Sequence, residues 1–203
     1  IKRLVEQMDP RGYVVHPIGA PDPAELSQHY LQRFWTRLPG KGSITIFDRS
    51  WYGRVLVERV EKISPRADWQ RAYDEIRQFE KMLTDDGVIL IKILIHISKR
   101  EQGERFRARL EKPHKRWKIT MADFKTREHW AAYQRAFNDM ISKTSTEAAP
   151  WLVAPGDVKR ATRPYVLSHC KQVLAQSLQQ QRVRFLTPEI KAAAKTMFDL
   201  DLS

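Results

Sequence analysis

The sequence predicts an α/β protein in which a parallel sheet is sandwiched between helices. Short apolar runs begin near residues 13, 43, 88 and 151, and segments with helical periodicity separate them. Strands that alternate with helices are typical of a parallel sheet covered on both faces. The run from Ser43 to Phe47 suits that environment, because buried parallel strands are apolar along their whole length. With 203 residues, of which 42% are hydrophobic, the chain can form one domain with a sizeable core.

The net charge of +12 predicts a polyanionic partner, which could be a nucleic acid, an anionic membrane surface or a phosphate-rich substrate. The most apolar run, Val88 to Ile97, is about half as long as a membrane span and contains Lys92. A membrane partner is therefore not expected. The single cysteine, Cys170, excludes an internal disulfide and favours a reducing, cytoplasmic location.

Capping and periodicity signals place the helices between these strands. Asp22 followed by Pro23 and Glu25 predicts a helix start, and the apolar spacing extends that helix to about Arg37. Ser98, with Glu101 three residues later, predicts a capping box, and Thr120 is a further predicted cap. The other predicted helices cover residues 52–60, 69–84, 98–110, 120–141, 159–181 and 188–197. We predict one domain over residues 1–203, with a lid at about 99–125 and a peripheral tail at 182–203.

Asp48 is the leading candidate for a metal ligand. It directly follows the 43–47 strand, and ligands of open α/β sheets bind at the carboxyl ends of the strands. A P-loop kinase places there the Walker B carboxylate that holds its magnesium. Arg49, Arg54 and Arg59 follow, as phosphate binding would require. The alternative for Asp48 is an ordinary turn or cap aspartate.

A second group of candidates is basic. Arg105 and Arg109 are four residues apart and share a helix face, and Lys115 and Lys118 follow a break at Pro113. Several cations on a mobile helical element are what a lid over phosphates needs. A solvated helix face is the alternative. The neighbouring Trp117 also permits a nucleic-acid interpretation.

Aromatic and acidic residues after Asp48 form a third group. Trp51, Tyr52 and Glu58 could hold a nucleobase or ribose beside a phosphate site. Core packing for Trp51 and an ordinary helical salt bridge for Glu58 are the alternatives. The six histidines show no metal-ligand spacing.

The run DRSWYGRVLVERVE, which begins at Asp48, resembles the polyphosphate kinase 2 family. The segments DPRGYVVHPIGAPDPAEL, WQRAYDEIRQFEKMLTDDG, IHISKREQ and TSTEAAPW agree in order, so the similarity extends from Ile1 to about Leu174. The resemblance implies a P-loop kinase core with a helical lid that moves phosphoryl groups between inorganic polyphosphate and nucleotides, using Mg²⁺.

The resemblance also implies roles for individual residues. Asp48 would be the magnesium ligand and Arg49 a phosphate contact. The polyphosphate side of the lid would be formed by Arg105, Arg109, Lys115 and Lys118, and the nucleotide side by Tyr52, Arg54 and Glu58. Gly53 departs from the asparagine of many members and favours the branch that uses AMP, with ADP as the alternative acceptor. A homo-oligomer is expected.

The chain departs from the family in one respect. The Walker A pattern, GxxxxGK followed by Ser or Thr, is absent from it. We expect that strand and loop to lie directly upstream of Ile1, and we expect the sheet of this chain to lack a central strand. Two other functions stay open at this point: a non-catalytic domain without a phosphate loop, and a nucleic-acid-binding module, which is less favoured.

Overall fold

The computed structural model describes residues 1–180 and 186–202, and it consists of short parallel strands and longer helices. The strands are β1 (Tyr13–Pro17), β2 (Ile44–Asp48), β3 (Lys92–His96) and β4 (Trp151–Pro155). The helices are α1 (Lys2–Val5), α2 (Pro23–Leu26), α3 (Gln32–Trp35), α4 (Val57–Val60), α5 (Arg66–Asp85), α6 (Lys99–Glu111), α7 (Met121–Glu128), α8 (Trp130–Thr144), α9 (Lys159–Gln180) and α10 (Pro188–Phe198). Short 3-10 turns cover Pro10–Gly12, Trp51–Arg54 and Pro113–Lys118.

The strands form two parallel pairs, which confirms the predicted α/β class with parallel pairing. β1 pairs with β2, and Tyr13 lies opposite Ile44. β3 pairs with β4, and Lys92 lies opposite Trp151. Within the described ranges the two pairs are not hydrogen-bonded to each other.

The third strand begins at Lys92, later than the predicted start at Val88. The reason is that the backbone N–H of Val88 donates to the Leu83 carbonyl at 2.9 Å and closes the end of α5. Gly87 permits this reversal with a φ of 88°. The side chains of Val88 and Leu90 still pack against the core, which accounts for their hydrophobic character.

One core holds both strand pairs against α5 and α8. Ile76 and Phe79 of α5 and Met140 of α8 are almost fully buried at its centre. Phe47 of β2 and Leu94 of β3 pack against this cluster from the two pairs. The predicted helix over 69–84 is confirmed and extends slightly at both ends.

Three predicted helices are interrupted. The helix predicted for residues 22–37 forms as α2 and α3, since the Ser27 hydroxyl donates to the Ala24 carbonyl and competes with helix continuation. The helix predicted for 120–141 breaks at His129, whose φ of −89° and ψ of 21° leave the helical region. The helix predicted for 52–60 becomes a 3-10 turn and α4, because Leu56 (φ −108°, ψ −92°) is not helical.

The chain forms two compact units, residues 1–167 and 168–203. The second unit contains the last part of α9 and the whole of α10. Thr187 caps α10 by accepting a hydrogen bond from the Ile190 N–H. Gln181, the predicted end of α9, lies outside the described residues. The single-domain prediction and the peripheral placement of 182–203 stay predictions. In the parts of the chain that the structure describes, every helix is too short or too polar to cross a bilayer.

Candidate active site

Asp48 is the last residue of β2, and its side chain is exposed there. Its backbone carbonyl accepts from the Ile18 N–H at 3.0 Å, which fixes the strand end. Within residues 1–180 and 186–202, no side chain donates a hydrogen bond to its carboxylate. The same residues hold no cluster of three or more His, Cys, Asp or Glu side chains suited to a metal ion. A single free carboxylate suits Mg²⁺, which keeps several waters and binds one or two carboxylates together with substrate phosphates.

Arg49 occupies a backbone conformation that is rare for a residue with a side chain. Its φ is 66°, in the left-handed region. This conformation costs about 1–2 kcal/mol for a residue other than glycine and is concentrated at functional sites. The turn it makes separates the exposed Asp48 carboxylate from the buried Trp51 and Tyr52 that follow.

The first two turns of α8 contact the carboxyl end of β3 and lie within electrostatic range of the residue after β2. The Nε2 atom of His96, the last residue of β3, lies 2.8 Å from Gln134 Oε1. The positive charge of Arg49 has a small effect on Tyr133, whose hydroxyl donates to Glu61 Oε1 at 3.1 Å.

A buried polar network holds the turn after Asp48. Glu80 of α5 accepts from Trp51 Nε1 at 3.0 Å and from the Tyr52 hydroxyl at 2.6 Å. Its other oxygen lies 2.7 Å from the ammonium of Lys92, which also donates to the Thr144 carbonyl at 2.6 Å. Burial is the main reason that the pKa of Tyr52 is raised, so the phenol stays a neutral donor. The sequence did not reveal this pairing, although a lysine in an apolar strand signals a buried acid nearby.

Tyr52 therefore lies in the core. The other two residues predicted to contact the nucleotide, Arg54 and Glu58, face each other. Arg54 Nη1 is 2.8 Å from Glu58 Oε2 and donates to the Ser64 hydroxyl at 2.8 Å. Its guanidinium also stacks on the ring of Tyr30, with 4.5 Å from Cζ to the ring centroid. In the described residues, no hydrogen bond or ion pair joins Arg54 or Glu58 to Asp48 or Arg49.

A small cleft of about 190 Å³ adjoins Arg54. Its lining residues are Gln28, His29, Tyr30, Arg54, Asp68 and Arg71. Among the residues that the structure describes, the buried Tyr30 hydroxyl and Arg54 Nε have no hydrogen-bond partner. Burial, with the nearby charge of Glu75, raises the pKa of Tyr30. The cleft is polar and is too small for a whole nucleotide.

The predicted lid consists of α6, the Pro113–Lys118 turn and α7. Arg105 pairs with Glu101 at 2.7 Å and donates to the Gly156 carbonyl at 2.6 Å, so it connects α6 to the loop after β4. Arg109 donates to the Lys118 carbonyl at 3.3 Å and contacts Asp123 at 3.4 Å.

The two lysines of the lid are differently placed. Lys115 is half-buried and, within the described residues, has no acidic partner. The Lys118 ammonium lies 4.9 Å from the ring centroid of Trp117, whose side chain is 76% exposed. Of the four cations predicted to bind polyphosphate, Arg105 and Arg109 are thus partnered, and Lys115 and Lys118 are available to an anion. The roles of these four residues stay predictions.

The capping box predicted for α6 is half present. The Ser98 hydroxyl accepts from the Glu101 N–H at 3.1 Å, as predicted. The Glu101 carboxylate does not return to Ser98, because it pairs with Arg105. The Ser98 N–H donates instead to Asp157 Oδ1 at 2.7 Å, and this bond lowers the pKa of Asp157.

Comparison with known proteins places this arrangement in a family. The sequence model of the family polyphosphate kinase 2 matches residues 1–182. A polyphosphate:AMP phosphotransferase of Pseudomonas syringae pv. tomato is 45% identical over 182 residues, which are 90% of this chain and 36% of that protein. An AMP/ADP-polyphosphate phosphotransferase of Meiothermus ruber is 40% identical over 189 residues, covering 93% of this chain and 69% of that protein.

Among solved structures, the crystal structure of polyphosphate kinase 2 from Arthrobacter aurescens TC1 aligns with a TM-score of 0.85 at 35% sequence identity. The alignment covers 95% of this chain and 66% of that one. The chain spans 34–36% of the length of the polyphosphate:AMP phosphotransferases that it matches. Fold, motif order and sequence agree over nine-tenths of the residues, and the chain belongs to the polyphosphate kinase 2 family.

Proposed function

We propose that this protein transfers phosphoryl groups between inorganic polyphosphate and a nucleotide, with AMP as the favoured acceptor and ADP as the product. The observation that carries the proposal is the free carboxylate of Asp48 at the end of β2, followed by Arg49 in the left-handed conformation. Family membership and the activities for which the relatives are named support the reaction class. The AMP preference rests on those names and on Gly53 in the motif.

In the proposed reaction, a phosphate oxygen of AMP attacks the terminal phosphorus of the polyphosphate. The bond from that phosphorus to the bridging oxygen breaks, and the shortened polymer leaves with that oxygen. Such reactions need positioning and charge neutralisation more than covalent participation by the protein. Arg49 binds the transferred phosphoryl group in this scheme, and lid cations hold the polymer.

We assign Mg²⁺ to Asp48. The Asp48 carboxylate would hold the ion, which would supply charge neutralisation during the transfer. Tyr52 acts by positioning, because its side chain is buried with Glu80. Arg54, which lines the cleft, and its ion-pair partner Glu58 stay candidates for nucleotide contact. The homo-oligomeric state and the cytoplasmic location also stay predictions.

Nucleotide product analysis tests the proposal. The protein is incubated with polyphosphate, Mg²⁺ and either AMP or ADP, and the products are separated by chromatography. We expect AMP to be converted to ADP faster than ADP is converted to ATP. Turnover of ADP alone would keep the reaction class and refute the AMP preference. No turnover of either nucleotide would contradict the enzymatic proposal and favour the non-catalytic alternative.

A further inference from the structure

The first turn of α9 carries an unusual group of free cations. Lys159 and Arg163 lie one helical turn apart on the same face, and both are exposed. Within residues 1–180 and 186–202, neither side chain takes part in an ion pair or a hydrogen bond. The first turn contains no acidic residue. Cations at this end of a helix oppose the helix dipole and are disfavoured by about 0.3–1 kcal/mol each.

This end of α9 adjoins the lid. Arg105 of α6 donates to the Gly156 carbonyl at 2.6 Å and approaches the Asp157 carbonyl at 3.5 Å, just before Lys159 begins the helix. The contact places the Arg105 guanidinium beside the first turn of α9. The loop itself follows β4, so the group lies at the carboxyl end of a parallel strand, where α/β sheets bind their ligands.

The charges at this junction act on one another. The positive charge of Arg105 is the main reason that the pKa of Lys159 is lowered, and Lys115 and Arg163 contribute in the same direction. Glu101 opposes them, but its carboxylate already pairs with Arg105. The other acid at the junction, Asp157, accepts the Ser98 N–H. Four cations from α6, the following turn and α9 therefore act on one another, and two carboxylates, Glu101 and Asp157, offset them in part.

We propose that Lys159 and Arg163 are additional polyphosphate-binding residues, which together with Arg105 and Lys115 form a phosphate track between the lid and α9. This inference rests on the proposed function. The cations come from three elements rather than from one pocket, which suits a polymer that carries a charge on every unit better than a single nucleotide phosphate. Arg163 offers a planar fork for two phosphate oxygens, and Lys159 offers a point charge.

The exposed position of both residues makes them suitable for substitution. Neither has a partner in the described residues, so Lys159→Gln and Arg163→Gln should fold normally. Arg160→Gln is the matched control. It removes the same charge from the same helical turn, but Arg160 projects about 100° around the helix from Lys159. Arg160 is also not among the charges that lower the pKa of Lys159.

The experiment measures equilibrium binding of long-chain inorganic polyphosphate to the whole chain, with single-stranded RNA as a second polyanion. We expect Lys159→Gln and Arg163→Gln each to weaken polyphosphate binding about five- to tenfold, and Arg160→Gln less than about twofold. RNA binding should change by less than about twofold in all three variants. Circular dichroism and thermal unfolding confirm that each variant is folded.

Each of the following outcomes would overturn the inference for a different reason. Equal weakening by all three substitutions would indicate a general charge effect, and equal weakening toward RNA would indicate an unselective polyanion surface. Unchanged binding in the Lys159 and Arg163 variants would remove these residues from the track while leaving the proposed function intact. Absence of polyphosphate binding by the unsubstituted chain would refute the proposed function together with the track.

Discussion

The ammonium of Lys92 lies 2.7 Å from Glu80 Oε2, and both side chains are at least 97% buried. Lys92 belongs to β3, whereas Glu80 accepts hydrogen bonds from the turn that follows β2. A single ion pair thus connects the second pair of strands with the segment that carries Asp48 and Arg49. Every polar atom of this pair has a partner, so its removal should affect stability and site geometry together.

Lys92→Met should therefore be strongly destabilising. Removing one member of a buried ion pair leaves the other charge uncompensated, at a cost of about 3–5 kcal/mol. The free energy of unfolding in urea measures the loss. The double variant Glu80→Gln/Lys92→Met should lose less than the sum of the two single variants. Lys81→Met is the control, since Lys81 forms an exposed ion pair with Asp85 at 2.7 Å on α5, the helix that carries Glu80. Equal losses for Lys81→Met and Lys92→Met would contradict the expected contribution of the buried Glu80–Lys92 pair to stability.

Asp48→Asn should abolish phosphoryl transfer and leave the fold intact. The amide keeps the shape of the side chain but loses the charge that attracts a divalent cation, so we expect a decrease of at least about a hundredfold in kcat. Polyphosphate binding should persist, because the lid cations are unchanged. Asp86→Asn, at an exposed position after α5, should retain full activity. If transfer survives in the Asp48 variant, the carboxylate is not the metal ligand.

The left-handed backbone of Arg49 predicts a conflict between stability and function. Arg49→Gly and Arg49→Ala both remove the guanidinium, and both should impair transfer. Their stabilities should differ, with the glycine variant more stable by about 1 kcal/mol, because glycine adopts a φ of 66° without steric cost. Chemical denaturation of the two variants measures the strain. An alanine variant as stable as the glycine variant would show that the turn is unstrained.

Gly156→Ala should distort the junction between β4 and α9. A Cβ atom at this position would lie 2.8 Å from the Cγ2 atoms of Ile95 and Ile97 and 2.9 Å from the His96 carbonyl oxygen. Relief requires movement of backbone, and overpacking of this kind costs about 1–3 kcal/mol. Gly12→Ala is the control, because its Cβ would meet no atom within 4 Å. Thermal unfolding compares the two, and equal melting temperatures would contradict the expectation.

Tyr133 should make the free energy of unfolding decrease with pH in the alkaline range. Burial, followed by the negative charge of Glu61, raises its pKa from 10.0 to about 12. A group whose pKa is raised in the folded state contributes stability fully below its unfolded pKa, and that contribution is lost as the pH rises through the folded value. The contribution of Tyr133 should therefore fall between pH 10 and pH 12. Tyr133→Phe should make the unfolding free energy fall less steeply over this range, with the remaining slope due to Tyr30 and Tyr52, whose pKa values are also raised. The exposed Tyr165→Phe should not change the slope. A similar pH dependence in both variants would exclude Tyr133 as the source.

Local sequence signals predicted most of the fold. The β-branched runs identified the four strands. The apolar stripe over residues 69–84 predicted α5 correctly, because the residues at helical spacing are the ones that pack into the core. Helix interruptions at Ser27 and His129 were missed. They depend on single backbone hydrogen bonds and dihedral angles that the apolar spacing does not report.

The candidate site was predictable in part. Asp48 and Arg49 could be found, because a strand end followed by Asp-Arg is a local pattern. The Glu80–Lys92 pair could not, since neighbours in space that are distant in sequence leave no local trace. In the sequence, Lys159 and Arg163 look like part of an ordinary helix. Their significance depends on Arg105, which donates to the carbonyl of Gly156, 51 residues later in the chain and just before α9.

The pairing of β3 with β4 also constrains how the chain folds. Its strands are separated by α6, α7 and α8, and the contact between Ser98 and Asp157 spans 59 residues. Closing so long a loop loses conformational entropy before the contacts at its ends can form and stabilise it, and this slows folding. β1 and β2 have a much shorter connection. During synthesis the β1–β2 pair can form while β4 is still unmade, so the Asp48 strand is in place well before the Lys159 end of the track exists.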